Sequence, residues 1–184
     1  MRAPTRFVII GPIDVLPMVE AFDARGDERA RASALQIARL LRESIAPFAR
    51  TTYEPGHVTA SAVVLTPDAR SVLLVYHERF ERWLQPGGHI EPTDRSVVEA
   101  AQREVLEETG IAVHALDPPL VSVDVHHIPP ARGEPQHLHH DLMFRFTLDA
   151  AVEPAQRTNA LWCSLAQLDR YGVDGALRSG VARA

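Results

Sequence analysis

Glu104, Glu107 and Glu108 crowd three carboxylates into one turn of Arg103-Glu104-Val105-Leu106-Glu107-Glu108-Thr109-Gly110-Ile111, a stretch that follows Gly87-Gly88. Like charges three or four residues apart on a helix repel by roughly 0.2–0.5 kcal/mol a pair, and acids near the C-terminus also meet the negative end of the dipole. A helix selected for stability alone would carry Lys or Arg there. The simplest compensation is a bound hard cation, for which clustered carboxylate oxygens are the expected ligands. The competing reading is a solvated acidic face, because charge patterning alone is a weak signal.

A second set of reactive side chains lies in Glu134-Pro135-Gln136-His137-Leu138-His139-His140-Asp141-Leu142-Met143-Phe144. On an extended strand His137, His139 and Asp141 project to one face, and Leu138, His140 and Leu142 to the other. Leu142 and Phe144 have the character of core, which leaves the Asp141 face polar. Two imidazoles and a carboxylate in a row are too polar for a core wall without partners. The preferred expectation is that this face lines a substrate pocket, with a hydrogen-bonded edge strand as the alternative. Of the other histidines, His57, His77, His114 and His126 are expected to be surface or hydrogen-bonded residues. His89 is set apart because it follows Gly88 directly. Cys163 is expected to be a small buried hydrophobe, and as the sole cysteine it excludes an internal disulfide.

These groups need elements to hold them. Ser96 and Glu99 form a capping-box start, Gly110 is a left-handed stop, and Val98, Ala101, Val105 and Thr109 form a buried stripe between them. Residues 1–50 are expected to form a helical extension. In it Asp27 to Ala46 carries Leu35, Ala38, Leu41 and Ile45 on one face, Pro47 stops the helix, and a short helix runs from about Leu16 to Ala24. That stripe covers one side of the core in the favoured reading and makes a homodimer contact in the other. Val58–Leu65 and Val72–His77 read as a hairpin around Pro67-Asp68. Further strands are expected at Leu120–Ile128, His137–Leu148 and Leu161-Trp162, and short helices at Leu165–Tyr171 and Gly175–Val181. The class is α/β, a mixed sheet between helical layers.

The wording of the first stretch resembles the signature of the Nudix hydrolase family: Gly, five residues, Glu, seven residues, then Arg-Glu-aliphatic-x-Glu-Glu-x-Gly-aliphatic. The resemblance implies a Nudix-type α/β/α sandwich around a mixed β-sheet, its core over about residues 56–170 in a domain spanning 51–184. It also implies Mg²⁺- or Mn²⁺-dependent cleavage of a diphosphate linkage in a nucleoside diphosphate joined to another moiety. Gly88, through its carbonyl, and Glu104, Glu107 and Glu108 are the implied metal ligands. Arg103 is expected to orient a carboxylate, Glu107 or Glu99. Asp94 departs from the pattern: it replaces Glu, and eight residues rather than seven separate it from Arg103. The extra residue is expected to displace Asp94 into a secondary role, with Glu91 able to reach the same region. The second stretch is similar to a segment in a subset of Nudix proteins. With a diphosphate as ligand, His89, His137, His139 and Asp141 become candidate substrate contacts, and Glu134 a candidate additional metal ligand or base.

Composition fits an ordinary soluble domain, and the resemblance implies a small-molecule nucleotide as its partner. The net charge of −5 argues against a nucleic-acid surface, and no apolar run approaches the ~20 residues of a membrane span. Pro4, Pro12, Asp14 and Pro17 break up what would otherwise serve as a leader, so the expected location is cytoplasmic. Two other classes compete with the hydrolase. One is a non-catalytic sensor of a nucleotide sugar or ADP-ribose, and the other an interaction protein with a merely solvated acidic helix. Intact Arg103, Glu104, Glu107 and Glu108 weigh against both.

Overall fold

A computed structural model describes residues 10–131, 133–156 and 158–183, so the first nine residues of the expected helical extension lie outside the described residues. Helices α1 (Pro12–Glu20) and α2 (Glu28–Glu43) lead into strands β1 (His57–Leu65), β2 (Ser71–His77), β3 (Arg82–Leu84) and β4 (Gly87–His89). Helix α3 (Val97–Thr109) follows, then β5 (Leu120–Ile128), β6 (His137–Thr147), β7 (Ala160–Ser164), a 3₁₀ helix at Leu165–Tyr171 and α4 (Gly175–Ala182). The sheet runs β3-β2-β1-β6-β5, with β4 also on β1 and β7 also on β2. β1 and β6 pair in parallel from His57 opposite His139 to Leu65 opposite Thr147. The other pairings are antiparallel, so the sheet is mixed, as expected.

Alternation along β1 and β6 sorts three environments. Val58, Ala60, Ala62 and Val64 join Leu142, Phe144 and Phe146 in one core with α1, α2 and α3. On the opposite face Val63, Leu65 and Met143 join Leu168, Ala176 and Leu177 in a second core under α4. The residues of that second face nearest the strand starts, Thr59, Ser61, His137, His139 and Asp141, line a cleft instead. One face of two parallel strands thus changes from polar to apolar along its length.

The N-terminal helices differ from expectation in boundary and in face. α1 begins at Pro12, because proline suits the first helical position and the Asp14 carboxylate accepts from Gly11 N–H at 2.9 Å. Pro12 is therefore a start, not an interruption. α2 buries Ala30, Ser33, Ile37, Ala38, Leu40 and Leu41, whereas Leu35 and Ile45 are exposed. Polar anchors set this rotation: the Ser33 hydroxyl accepts from Val125 N–H at 3.2 Å, and Arg29 pairs with Asp124. Ile37→Ala is accordingly expected to lower stability by about 2–5 kcal/mol, and Leu35→Ala to change it by less than about 0.5 kcal/mol. Urea unfolding of the two variants checks this; equal losses would restore the face through Leu35.

Candidate active site

Helix α3 forms as its caps dictate: the Ser96 hydroxyl accepts from Glu99 N–H at 3.0 Å, and Gly110 closes the helix at φ 73°. Its buried face is Val97, Ala100, Ala101, Val105 and Thr109, with Val98 only partly covered. This face lies against β1 and turns the acidic face toward β4. Gly87 N–H donates to Glu108 Oε2 at 3.0 Å. A Cβ on Gly88 would fall 2.5 Å from Glu104 Oε1, so only glycine lets that carboxylate lie flat on the strand.

Arg103 organises the rest. It donates to Glu104 at 2.8 Å, to Glu107 at 3.1 Å and to the His89 carbonyl at 2.8 Å. Its Nε and Nη2 also hold both oxygens of Asp94 at 3.0 Å each. Glu99, expected as a partner, is bound by Arg95 instead. The expectation that Asp94 is displaced is corrected here. The extra residue is absorbed in a tight turn, in which Asp94 N–H donates to the Glu91 carbonyl at 3.0 Å and Glu91 N–H to Asp94 Oδ2 at 2.8 Å. That turn folds the buried Asp94 back onto Arg103.

Burial pushes the Glu104 carboxyl up, with the Arg103 guanidinium opposing. Burial, reinforced by the charges of Glu104 and Glu107, pushes Glu108 up to about 7, although the Gly87 N–H partly offsets it. Glu107 is more than half exposed. One guanidinium bonds three carboxylates while Glu108 stands beside them without a cation among the described residues, an arrangement with a deficit of positive charge.

Glu108, Gly87 and Gly88 border a cleft of about 690 Å³ that also receives His89, Glu134, His137, His139 and Asp141. The structure therefore brings the two constellations together across β1. Asp141 is buried and accepts from Thr59 at 2.9 Å and Ser61 at 2.5 Å, while burial raises its pKa against those two bonds. Glu134 accepts from Arg50 at 3.0 Å, a bond that lowers its pKa.

His57 and His126, expected to be surface or hydrogen-bonded residues, are each hydrogen-bonded, and each also packs against His139 of the cleft wall. His57 is fully buried, its ring 5.1 Å from those of His89 and His137 and 4.9 Å from that of His139. Desolvation holds His57 down at about 4 and His139 at about 2, so both are neutral. His126 lines the cleft and bonds Asp124 at 3.0 Å; burial works to lower its pKa, but the Asp124 bond with the Asp141 and Asp124 charges outweighs it. The odd-numbered face of β1, His57-Thr59-Ser61, was the available signal for His57. Only the parallel pairing with β6 makes it meaningful.

Substituting Ala at the two glycines separates fold from site. At Gly87 a Cβ would meet Ser61 Cβ at 2.4 Å and Cα at 2.7 Å, so Gly87→Ala is expected to split β4 from β1 and lose several °C in Tm. At Gly88 the clash is with the movable end of Glu104. Gly88→Ala is therefore expected to keep its Tm within a few °C while Mg²⁺ affinity falls at least tenfold. Calorimetry of both variants with and without Mg²⁺ checks the contrast, and intact Mg²⁺ binding by Gly88→Ala would overturn it.

Residues 55–182 match the profile of the NUDIX domain, and the chain belongs to the Nudix hydrolase family. Phosphatase NudJ of Escherichia coli (strain K12) is 46% identical over 59 residues, which cover 30% of this chain and 36% of that protein. The chain thus spans about a third of the length of the curated relatives it matches. Among solved structures, the NUDIX domain of Shewanella oneidensis NrtR complexed with ADP ribose superposes with a TM-score of 0.50 at 21% identity, over 77% of this chain and 94% of that one. A MutT NUDIX hydrolase from Burkholderia pseudomallei gives 0.47 at 25% identity, over 69% and 96%.

Proposed function

We propose that the protein is a divalent-metal-dependent hydrolase that cleaves a diphosphate linkage in a nucleoside diphosphate joined to another moiety. The observation that carries this reading is the carboxylate cluster of α3 pressed against Gly87-Gly88 at the rim of a polar cleft. The donor set fits a hard cation: Glu104 and Glu108 are carboxylates with raised pKa values, and Glu107 and the Gly88 carbonyl are the remaining candidate ligands. When bound, Mg²⁺ or Mn²⁺ supplies charge neutralisation for the diphosphate and activation of water.

The chain's own residues do the positioning. Arg103 holds Glu104, Glu107 and Asp94 in register and ties them to the His89 carbonyl, which fixes β4 against α3. The Gly87 N–H orients the Glu108 carboxylate. Arg79, Arg82 and His126 bring positive charge or hydrogen-bond donors to the cleft walls, matched to an anionic ligand. The cleft volume suits a small organic ligand. In the overall reaction, water adds to phosphorus, the bridging P–O bond breaks, and a proton leaves with the two phosphate products.

The test is turnover of nucleotide sugars, dinucleotides, nucleoside triphosphates and ADP-ribose with Mg²⁺ or Mn²⁺. The expected result is metal-dependent release of a nucleoside monophosphate from at least one substrate, lost in Glu104→Gln. Tight ADP-ribose binding without turnover of any substrate would establish the sensor reading instead.

A further inference from the structure

Two histidines of the cleft wall, His137 and His139, and the buried His57 beside them form a second constellation that the carboxylate chemistry does not use. His57, His137 and His139 each offer a ring nitrogen, and these nitrogens all lie within 4.8 Å of one another. His137 Nε2 and His139 Nε2 are 3.3 Å apart. Tetrahedral Zn²⁺ with Zn–N bonds of about 2.05 Å separates adjacent ligand nitrogens by about 3.3 Å. That edge of the triangle already has metal-site dimensions.

The outward nitrogens explain the orientation. His57 Nδ1 faces the Thr52 carbonyl at 3.2 Å, and His137 Nδ1 faces the Pro135 carbonyl at 2.8 Å. A carbonyl can only accept, so each Nδ1 carries the hydrogen and each Nε2 presents a lone pair inward. Metal-ligating histidines are oriented by this same kind of second hydrogen bond. His57 Nε2 is buried and has no partner among the described residues, which leaves a desolvated lone pair in need of a Lewis acid or a proton. His89 stays outside the triangle but flanks it, its ring edge-on to His139 at 5.1 Å. Its carbonyl is the one Arg103 binds, so a single residue bridges the imidazole and carboxylate clusters.

We propose that His57, His137 and His139 form a Zn²⁺-class transition-metal site, separate from the carboxylate site, with one coordination position open to the cleft for an anionic oxygen. Neutral imidazoles select a borderline ion such as Zn²⁺, Co²⁺ or Ni²⁺ over Mg²⁺, and three protein ligands leave a tetrahedral position free. His137 and His139 both line the cleft, so that position faces the space that Glu108 of α3 also lines.

The experiment uses the full chain stripped with chelator and returned to millimolar Mg²⁺. One equivalent of Zn²⁺ is expected to bind, and Co²⁺ in its place is expected to give the visible absorption of a tetrahedral site. Inorganic phosphate should perturb that absorption. Glu104→Gln/Glu108→Gln should retain the Zn²⁺, whereas His57→Gln and His139→Gln should lose at least a hundredfold in affinity. Absence of stoichiometric Zn²⁺ in the wild type, retention by the histidine variants, or loss from the glutamate variant would each overturn the site. A Co²⁺ spectrum indifferent to phosphate would overturn the open position. Should the histidine variants fail to fold, ¹⁵N spectra of the wild-type imidazoles decide: Zn²⁺ must shift three Nε2 resonances. None of these readouts depends on turnover, so this site and the proposed hydrolysis can fail separately.

Discussion

Glu108→Gln is expected to lower turnover by two or more orders of magnitude while making the metal-free protein more stable. Both effects come from one carboxylate. Partly buried where α3 meets β4, beside Glu104 and Glu107, Glu108 has its pKa raised to about 7 from the usual 4.5. A raised carboxylate favours the fold only when protonated. Its penalty is absent near pH 4.5, grows as pH rises toward 7 and is constant above that. Glutamine keeps an oxygen for the Gly87 N–H and removes the charge, so the metal-free variant should gain on the order of 2 kcal/mol above pH 7, a gain that is much reduced at pH 5 and vanishes below the unfolded pKa of 4.5. For a chain of this length that is a rise of about 4–8 °C in Tm. Mg²⁺ should reverse the order by stabilising the wild type through binding. Thermal unfolding at pH 5 and pH 8 with and without Mg²⁺, beside turnover on the best substrate, tests all three points. Wild-type turnover in the variant would remove Glu108 from the site.

Asp94→Asn is expected to reduce activity almost as far as Glu104→Gln and to lower stability by about 1–3 kcal/mol. Asp94 is 3% exposed in its side chain and receives two Arg103 bonds at 3.0 Å. Asparagine offers one acceptor oxygen and turns an amide N–H₂ toward a guanidinium, so the pair is broken from one side. Because Arg103 is 21% exposed, solvent recovers part of the loss, which places the expected effect below the roughly 3–5 kcal/mol of a fully buried pair. Arg103 also fixes Glu104, Glu107 and the His89 carbonyl, so its loosening reaches the carboxylates directly. Urea unfolding and turnover of Asp94→Asn and Glu104→Gln, measured together, test this. A variant with wild-type turnover and stability would return Asp94 to the peripheral role that its spacing suggests.

The contrast between these two residues shows where local reading stops. Glu108 sits on a helix whose start, stop and buried stripe are written in consecutive residues, so spacing alone places it beside Glu104. Asp94 lies in a turn, where one added residue is absorbed by two backbone-level hydrogen bonds that a linear count does not register. α2 makes a similar point. Its helical period was legible, but its rotation follows from Ser33 and Arg29 finding partners on β5, nearly a hundred residues away.

The sequence by itself determined the acidic helix, its caps, the glycine pair before it and the strand that puts His137, His139 and Asp141 on one face. Each is a short-range pattern, set by the 3.6- and 2-residue periods and by the conformational freedom of glycine. Tertiary structure alone decided that these two patterns share a cleft and that His57 belongs with the second. Parallel pairing of β1 with β6 sets His57 opposite His139 across a gap of 82 residues, and no local propensity encodes that register. In that alignment the alternate residues of both strands, from Val58 to Phe146, bury their apolar face in one core, whereas a one-residue slip would turn one strand's set to the other face, and the polar residues between them face the cleft.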